Sequence, residues 1–452
     1  MIEPLYEELL DCNVAELIKL FSDKKDLMLL TSTMQMEGYG RYSFICFDSF
    51  WSFSSKGEDS NPFDVINKKL DEFKLKRIDG LPPLQGGMVG YFGYEASHHL
   101  EELPLIVDNM QLPDIYLNCY SHVISIDHVT NQCWIVATGF PEKSESLRVK
   151  KAQKDITDIK CRLGLGPTTT SPTHSCWTKA QPTSNFDRKS YMDAVNVTKE
   201  YILNGDIFQA NLTQQFQATL SNNTPLLNLY FDLMEINPAP FSAFLTLPNQ
   251  GYIISASPER FIKLTDQLVE TCPIKGTRKR SNDLEEDQRL ANELLISEKD
   301  HAEHVMIVDL MRNDLSRVCQ AVHVDELSAL KSFETVHHLV SKINGVLKSN
   351  LNAIDLIKAT FPPGSVTGAP KIRAMEIISE LEKQARGPYC GCLGYLSFTG
   401  DMDMSVVIRS YFINKNKLYF SAGGAIVLDS DPGAEYQESL LKAQALMKAI
   451  TA

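Results

Sequence analysis

Apolar and polar positions change period several times along the 452 residues, and each change predicts an element. Short apolar, β-branched runs over residues 123–127 and 133–137 predict two strands joined by the turn-like Asp127-His128-Val129-Thr130-Asn131. A basic, periodic stretch predicts a helix over Glu145–Leu163. Residues 164–184 are rich in Gly, Pro, Ser and Thr, bury little apolar surface and read as a linker between a region 1–163 and a region 185–452. Beyond it the patterns are denser. Helices are predicted over 191–203, ending at Asn204-Gly205, over 371–381, opening just after Pro370, and over 434–449. Residues 283–314 read as a long helical stretch with a break. Strands are predicted over 252–255, 261–264, 393–398, 405–412 and 417–421. Strands and helices come in runs, not in strict alternation, which predicts an α+β fold over a doubly wound sheet.

Composition narrows the function classes. The formal net charge of -13 disfavours nucleic acid, whose phosphates attract Lys and Arg. The start of the chain lacks a basic stretch followed by an apolar one, and no run of about 18 apolar residues occurs, so neither a signal peptide nor a membrane span is expected. The ten scattered cysteines then read as reduced thiols of a cytoplasmic protein. Cys390 and Cys392 form a CxC without the further ligands a zinc site needs.

Five local features carry candidate chemistry. The run from Gly364 to Lys371 (GSVTGAPK) fails the phosphate-loop spacing, but backbone N–H groups near a helix start suit a carboxylate. Gly86, Gly87, Gly90 and Gly93 have the wrong spacing for a dinucleotide fingerprint and read as sites of close strand packing. His301, Glu303 and His304 do not match the zinc-protease motif; Glu303 could serve a hard cation, and a solvated helix face is the plainer reading. Glu435 and Glu438 share a helix face, and Lys442 lies four residues beyond Glu438, a spacing usual for a surface ion pair. Lys275 stands between Ile274 and Gly276 directly after a strand; a desolvated lysine beside another cation can lose its proton and become a nucleophile.

Segments across the chain together resemble the chorismate-utilising enzymes, which include anthranilate, aminodeoxychorismate, isochorismate and salicylate synthases. They are Gly205 to Leu212 (GDIFQANL), Ser257 to Phe261 (SPERF), Pro273 to Thr277 (PIKGT), Ala302 to His304, Asp309 to Asp314 (DLMRND), His337 to Ser341 (HHLVS), Thr367 to Lys371, Ile408-Arg409 and Glu435 to Glu438. Gly40 to Phe44 and Gln85 to Gly87 add to them, and make 1–163 similar to the N-terminal region of anthranilate synthase component I. Lys275 resembles the aminodeoxychorismate type, because anthranilate synthases carry alanine there. Cys272 departs from the family, whose members usually carry arginine.

The resemblance implies two facing antiparallel sheets with helices outside, the two regions interleaved, and a site at the bottom of a cleft. It implies exchange of the 4-hydroxyl of chorismate for an amino group, toward p-aminobenzoate and folate, with the anthranilate synthase component I reaction as the alternative. Glu259 matches the general acid, Lys275 the nucleophile and His338 a histidine near the ring. Glu303 and Glu438, with Glu435 beside them, match ligands of Mg²⁺. Gly276, Thr277, Thr367, Tyr395, Arg409, Gly423, Gly424, Ala425 and Lys442 match groups that hold the substrate. Ammonia would come from a separate glutamine amidotransferase, since this chain lacks that domain's Cys, His and Glu pattern. Leu29 to Ser32 and Pro240 to Ser242 resemble the tryptophan pocket of anthranilate synthases, making Ser32, Pro240, Phe241 and Ser242 a candidate pocket. Thr31 and Ser242 stand where those enzymes favour glutamate and methionine.

Overall fold

Strands Gly87–Phe92, Ile115–Tyr120, His122–Asp127 and Cys392–Ser397 are buried at every position. A strand can be apolar on both faces only if both are covered, and the architecture supplies that cover. The computed structural model describes all residues except 1, 11, 36–37, 58–60, 165, 167–176, 178–180, 222–223, 282, 333–335 and 452. Its strands form two sheets, of twelve and ten strands. One hydrophobic core lies between them, joining Phe44, Met28 and Leu245 of the first sheet to Val89, Met404 and Leu393 of the second. A second core joins the outer face of the first sheet to helices, through Ile156, Leu229 and Leu446.

Both sheets draw on both sides of residues 164–184. In the first, Met28–Thr31 pairs with Phe241–Leu247; in the second, Gly87–Phe92 pairs with Cys392–Ser397. Both ladders are antiparallel. Of residues 164–184 themselves, Gly164, Gly166, Trp177 and 181–184 are described, and Thr183–Ser184 pairs with Gln209–Thr219.

Residues 405–412, expected as one strand, are two. Met402–Val406 belongs to the second sheet and Ser410–Asn414 to the first. The chain changes sheets through Val407, Ile408 and Arg409, and Arg409 takes the left-handed conformation with φ 54°. The apolar run Val406-Val407-Ile408 carries straight into the bend, and the strands on both sides of it are buried. A second crossing lies beside it. Gly251–Ser257 is in the first sheet and Arg260–Thr265 in the second, with Pro258 and Glu259 between. The two crossings bond to each other: Ser257 Oγ donates to Val406 O at 2.6 Å, Val406 N to Glu259 O at 3.0 Å and Ala256 N to Arg409 O at 3.1 Å.

The helical stretch 283–314 breaks at Ser297, into Leu284–Ile296 and Glu298–Val318. Ser297 has extended backbone angles, and its Oγ accepts from Asp300 N at 3.2 Å, an N-cap that starts the second helix. Among the described residues no helix is long and apolar enough to cross a membrane.

Gly90 and Gly394 face each other across neighbouring strands. A Cβ on Gly90 would lie 2.0 Å from Tyr116 O, and one on Gly394 2.0 Å from Asp403 O. Backbone cannot yield at a buried ladder as a flexible side chain can. Gly90→Ala and Gly394→Ala should each cost at least about 2 kcal/mol, read as a fall in the denaturation midpoint. A midpoint equal to the parent's would show that the ladder opens without penalty.

Candidate active site

The double crossing brings Glu259 and Arg409 to the seam between the sheets. Glu259 is 6% exposed. Burial pushes its carboxyl up to about 7, against the opposing effects of a Ser365 hydrogen bond, the Lys275 charge and the Ile274 backbone. A carboxylic acid half-protonated near neutrality is suited to donate a proton. Arg409 reaches the C-terminal helix, Pro432–Thr451, where its Nη1 donates to the Lys442 carbonyl. Burial lowers its pKa, and Tyr389 and Glu438 oppose that shift.

Lys275 comes from the strand Ile274–Lys279, which pairs with Val336–Leu347. Register slips by one residue between Lys275 and Thr277, a bulge centred on Gly276. Gly276 has φ 68°, and a Cβ there would lie 2.7 Å from Leu294 Cδ1, so glycine suits the position twice over. A bulge re-aims its neighbour's side chain. Here Lys275 Nζ points to Ser365 O at 3.4 Å. Burial depresses the lysine's pKa and the Lys442 charge adds to that, with Glu303, Glu259 and Glu438 opposing. Four of the expected site residues therefore bear on a fifth, Lys275. His338 sits opposite Thr277, and its Nδ1–H donates to the Gly276 carbonyl at 3.2 Å. Burial brings its pKa down to about 4, so the imidazole is neutral.

Three polar side chains of the C-terminal helix converge over the strand Lys417–Ile426. A Cβ on Gly424 would lie 3.3 Å from Glu435 Oε2, 3.3 Å from Glu438 Oε1 and 3.5 Å from Lys442 Nζ. Glu435 is 3% exposed and takes a bond from Ser430 Oγ at 2.6 Å on its other oxygen. Lys442 pairs with Glu438 at 2.7 Å and donates to Gly423 O at 3.0 Å. The pair is thus part of a cradle, with the bare backbone of Gly423, Gly424 and Ala425 as its floor, paired to Thr213, Leu212 and Asn211. Among the described residues no three His, Cys, Asp or Glu side chains gather as a ready-made cation cage. Mg²⁺ needs only one or two carboxylates and completes its shell with water and ligand oxygens. The two carboxylates over Gly424 fit that demand, and Glu303, on the helix Glu298–Val318, bears with Glu438 on the charge of Lys275.

The two histidines beside Glu303 hydrogen-bond to protein groups of their own. His301 Nε2 meets Leu295 O at 2.8 Å, and the fully buried His304 bonds Ser341 Oγ at 2.5 Å. Thr367 lies in the site's wall, but its hydroxyl is turned inward, donating to Pro363 O at 3.2 Å. Two residues here were not anticipated. Ser365 touches both Lys275 and Glu259; it stood inside the glycine-rich run, where only backbone donors were weighed. Tyr389 is the tyrosine beside Arg409; its signal was the Gly387-Pro388 turn just before it.

Tyr395, expected among the substrate-holding groups, lies elsewhere. Its ring packs edge-on against Phe44, centroids 5.4 Å apart, in the wall of a separate cavity of about 710 Å³. Period-two alternation along Cys392–Ser397 cannot tell the site from that cavity, because both faces are buried. Thr31, Pro240, Phe241, Ser242 and Arg260 line the same space. Ser32 stands next to it, donating from Oγ to Met34 O at 2.8 Å. Arg260 holds both Asp403 oxygens at 3.0 Å and stacks on Tyr39, 4.7 Å from the ring centroid.

Two facing sheets that meet at a buried acid, a lysine and a carboxylate cradle define an enzyme of the chorismate-utilising class. Residues 29–448 match the model of the chorismate binding enzymes, and the chain belongs to that family. It is similar to aminodeoxychorismate synthase component 1 of Escherichia coli K12, 37% identical, covering 93% of this chain and 92% of that one. It is as similar to anthranilate synthase component 1 of Aquifex aeolicus, 36% identical, covering 99% and 94%. The crystal structure of anthranilate synthase component I from Streptococcus pneumoniae superposes with a TM-score of 0.77 at 30% identity, covering 90% of this chain and 92% of that one.

The cavity beside Tyr395 generates its own expectation. A bound amino acid needs a partner for its ammonium. Among the described lining residues Asp403 is the one carboxylate, and Arg260 occupies it. Micromolar tryptophan should give no saturable heat in titration calorimetry and no inhibition. Saturation in that range would show that the Arg260–Asp403 pair opens for the ligand.

Proposed function

We propose that this chain converts chorismate and ammonia to 4-amino-4-deoxychorismate, with ammonia delivered by a glutamine amidotransferase subunit and the product leading to p-aminobenzoate and folate. The observation that carries this reading is Lys275. Its amine lies 3.4 Å from Ser365 O and shares that residue with the acid Glu259. Burial and Lys442 both favour its neutral form.

In this reading the Lys275 amine attacks carbon 2 of the ring. The two ring double bonds shift, and the 4-hydroxyl departs as water with the proton of Glu259. Ammonia then adds at carbon 4, the double bonds return, and Lys275 leaves from carbon 2 with a proton returned to it. The net change is chorismate plus ammonia to aminodeoxychorismate plus water. Arg409 and Lys442 offer charge to the substrate carboxylates, and neutral His338 orients the ring. Glu303, Glu438 and Glu435 would hold Mg²⁺. When bound, that ion would neutralise the ring carboxylate and draw charge as the C–O bond breaks.

The second reading is the anthranilate synthase reaction, since relatives of that name are equally similar. It calls for direct attack of ammonia at carbon 2, and a lysine beside the ring stands in the way of that. Incubation with chorismate and Mg²⁺ but no ammonia should leave chorismate less one water on the peptide that holds Lys275. Lys275→Ala should trap nothing and shift residual product toward carbon 2 substitution. Full activity of Lys275→Arg, with no adduct trapped in the parent, would rule out the covalent route.

Replacing Glu303 or Glu438 by Gln keeps volume and removes a charged hard ligand. Each should lower turnover by more than the roughly 10–100-fold that loss of an outer-sphere partner costs, and weaken Mg²⁺ binding in calorimetry. Parent-like turnover in the presence of chelator would refute the metal assignment.

A further inference from the structure

The glycine-rich run ends on Lys371, whose ammonium is held inside the protein frame. It donates to Asp314 Oδ2 at 2.5 Å, Thr360 O at 2.8 Å and Pro362 O at 2.9 Å. An ammonium has three protons, so all are committed. Each oxygen belongs to a different part of the site's frame. Asp314 is on Glu298–Val318, the helix that carries Glu303. Thr360 ends the helix Ala353–Thr360, whose last carbonyls lack helical donors. Pro362 opens the segment that leads to Ser365.

The far side of that segment is tied as firmly. Arg386 Nη1 donates to Val366 O at 2.9 Å and Asn211 N to Thr367 O at 2.7 Å. Gly368 and Ala369 pair with Ala210 and Gln209. Ser365 sits between the two anchorages, with its carbonyl facing Lys275 and its hydroxyl facing Glu259. A shift of the Pro362 end would move it against both at once.

We infer that Lys371 is a positioning residue: its ammonium, clasped by Asp314 and the Thr360 and Pro362 carbonyls, sets where Ser365 meets Lys275 and Glu259. The inference rests on the site proposed above but not on which product that site makes.

Lys371→Met alone would leave the buried Asp314 carboxylate with Arg317, 3.2 Å away, as its remaining charged partner, and loss of one member of a buried ion pair is strongly destabilising. The test is therefore the double variant Lys371→Met/Asp314→Leu, which removes both charges and leaves apolar side chains, an exchange that is often neutral for stability. It should melt near the parent, while kcat for chorismate consumption falls about 10²-fold, the scale of an ångström's misplacement, and KM changes little. A double variant that consumes chorismate at the parent's kcat overturns the inference. Should that protein not fold, Asp314→Asn keeps the carbonyl ties and a neutral acceptor. It should lower kcat several-fold at unchanged KM and melting temperature, and an unchanged kcat overturns the inference. Consumption is followed whatever the product. A parent that makes anthranilate corrects the product proposed above and leaves this inference standing, and a parent that consumes no chorismate refutes the function itself.

Discussion

The structure depends on a pair of strand crossings that hold each other. Where the chain leaves the first sheet at Ser257 it enters the second at Arg260, and beside it Val406 leaves the second for Ser410 in the first. Three hydrogen bonds between the crossings satisfy backbone groups where the ladders end. The seam also carries two of the candidate site's residues, because residues between sheets are freed from period-two alternation. Glu259 and Arg409 can therefore point where no strand residue could.

Around the seam the fold gathers charge in a place of little water. Glu259 and Lys275 are both pushed toward their neutral forms by burial. An acid that keeps its proton and an amine that gives one up are opposite departures, and one desolvated environment produces both. The cradle over Gly424 works differently. Its carboxylates sit on a helix and Gly424 beneath them has no side chain, so an ion or a carboxylate can approach backbone directly.

Much of this was legible in the sequence, for reasons that also mark the limits. Glu145–Leu163 and the helix opening after Pro370 follow from period and punctuation, and both stand as expected. Two facing sheets followed from the family resemblance and not from local pattern. Residues 405–412 read as one strand because the apolar run Val406-Val407-Ile408 carries into the crossing without a turn residue to mark it. The direction of Tyr395 could not be read, since in a strand buried on both faces it depends on which sheet lies beyond it, and Tyr389 stands in a turn that no periodicity describes. Ser365 and Lys371 were hidden for another reason. Their partners Glu259, Asp314 and Thr360 are distant in sequence or in other elements, and short-range spacing holds no record of them.

The shared ladders also bear on how the chain is made. Gly87–Phe92 finds one neighbour early, in Ile115–Tyr120, but its other edge is closed only by Cys392–Ser397. At typical synthesis rates about 300 further residues take roughly 15–60 s. Throughout that interval the ribosome-borne chain presents an apolar, unpaired strand edge, the kind of surface that recruits other chains. The interleaving that builds one seam from two regions thus makes the nascent protein dependent on shielding until its last strands emerge.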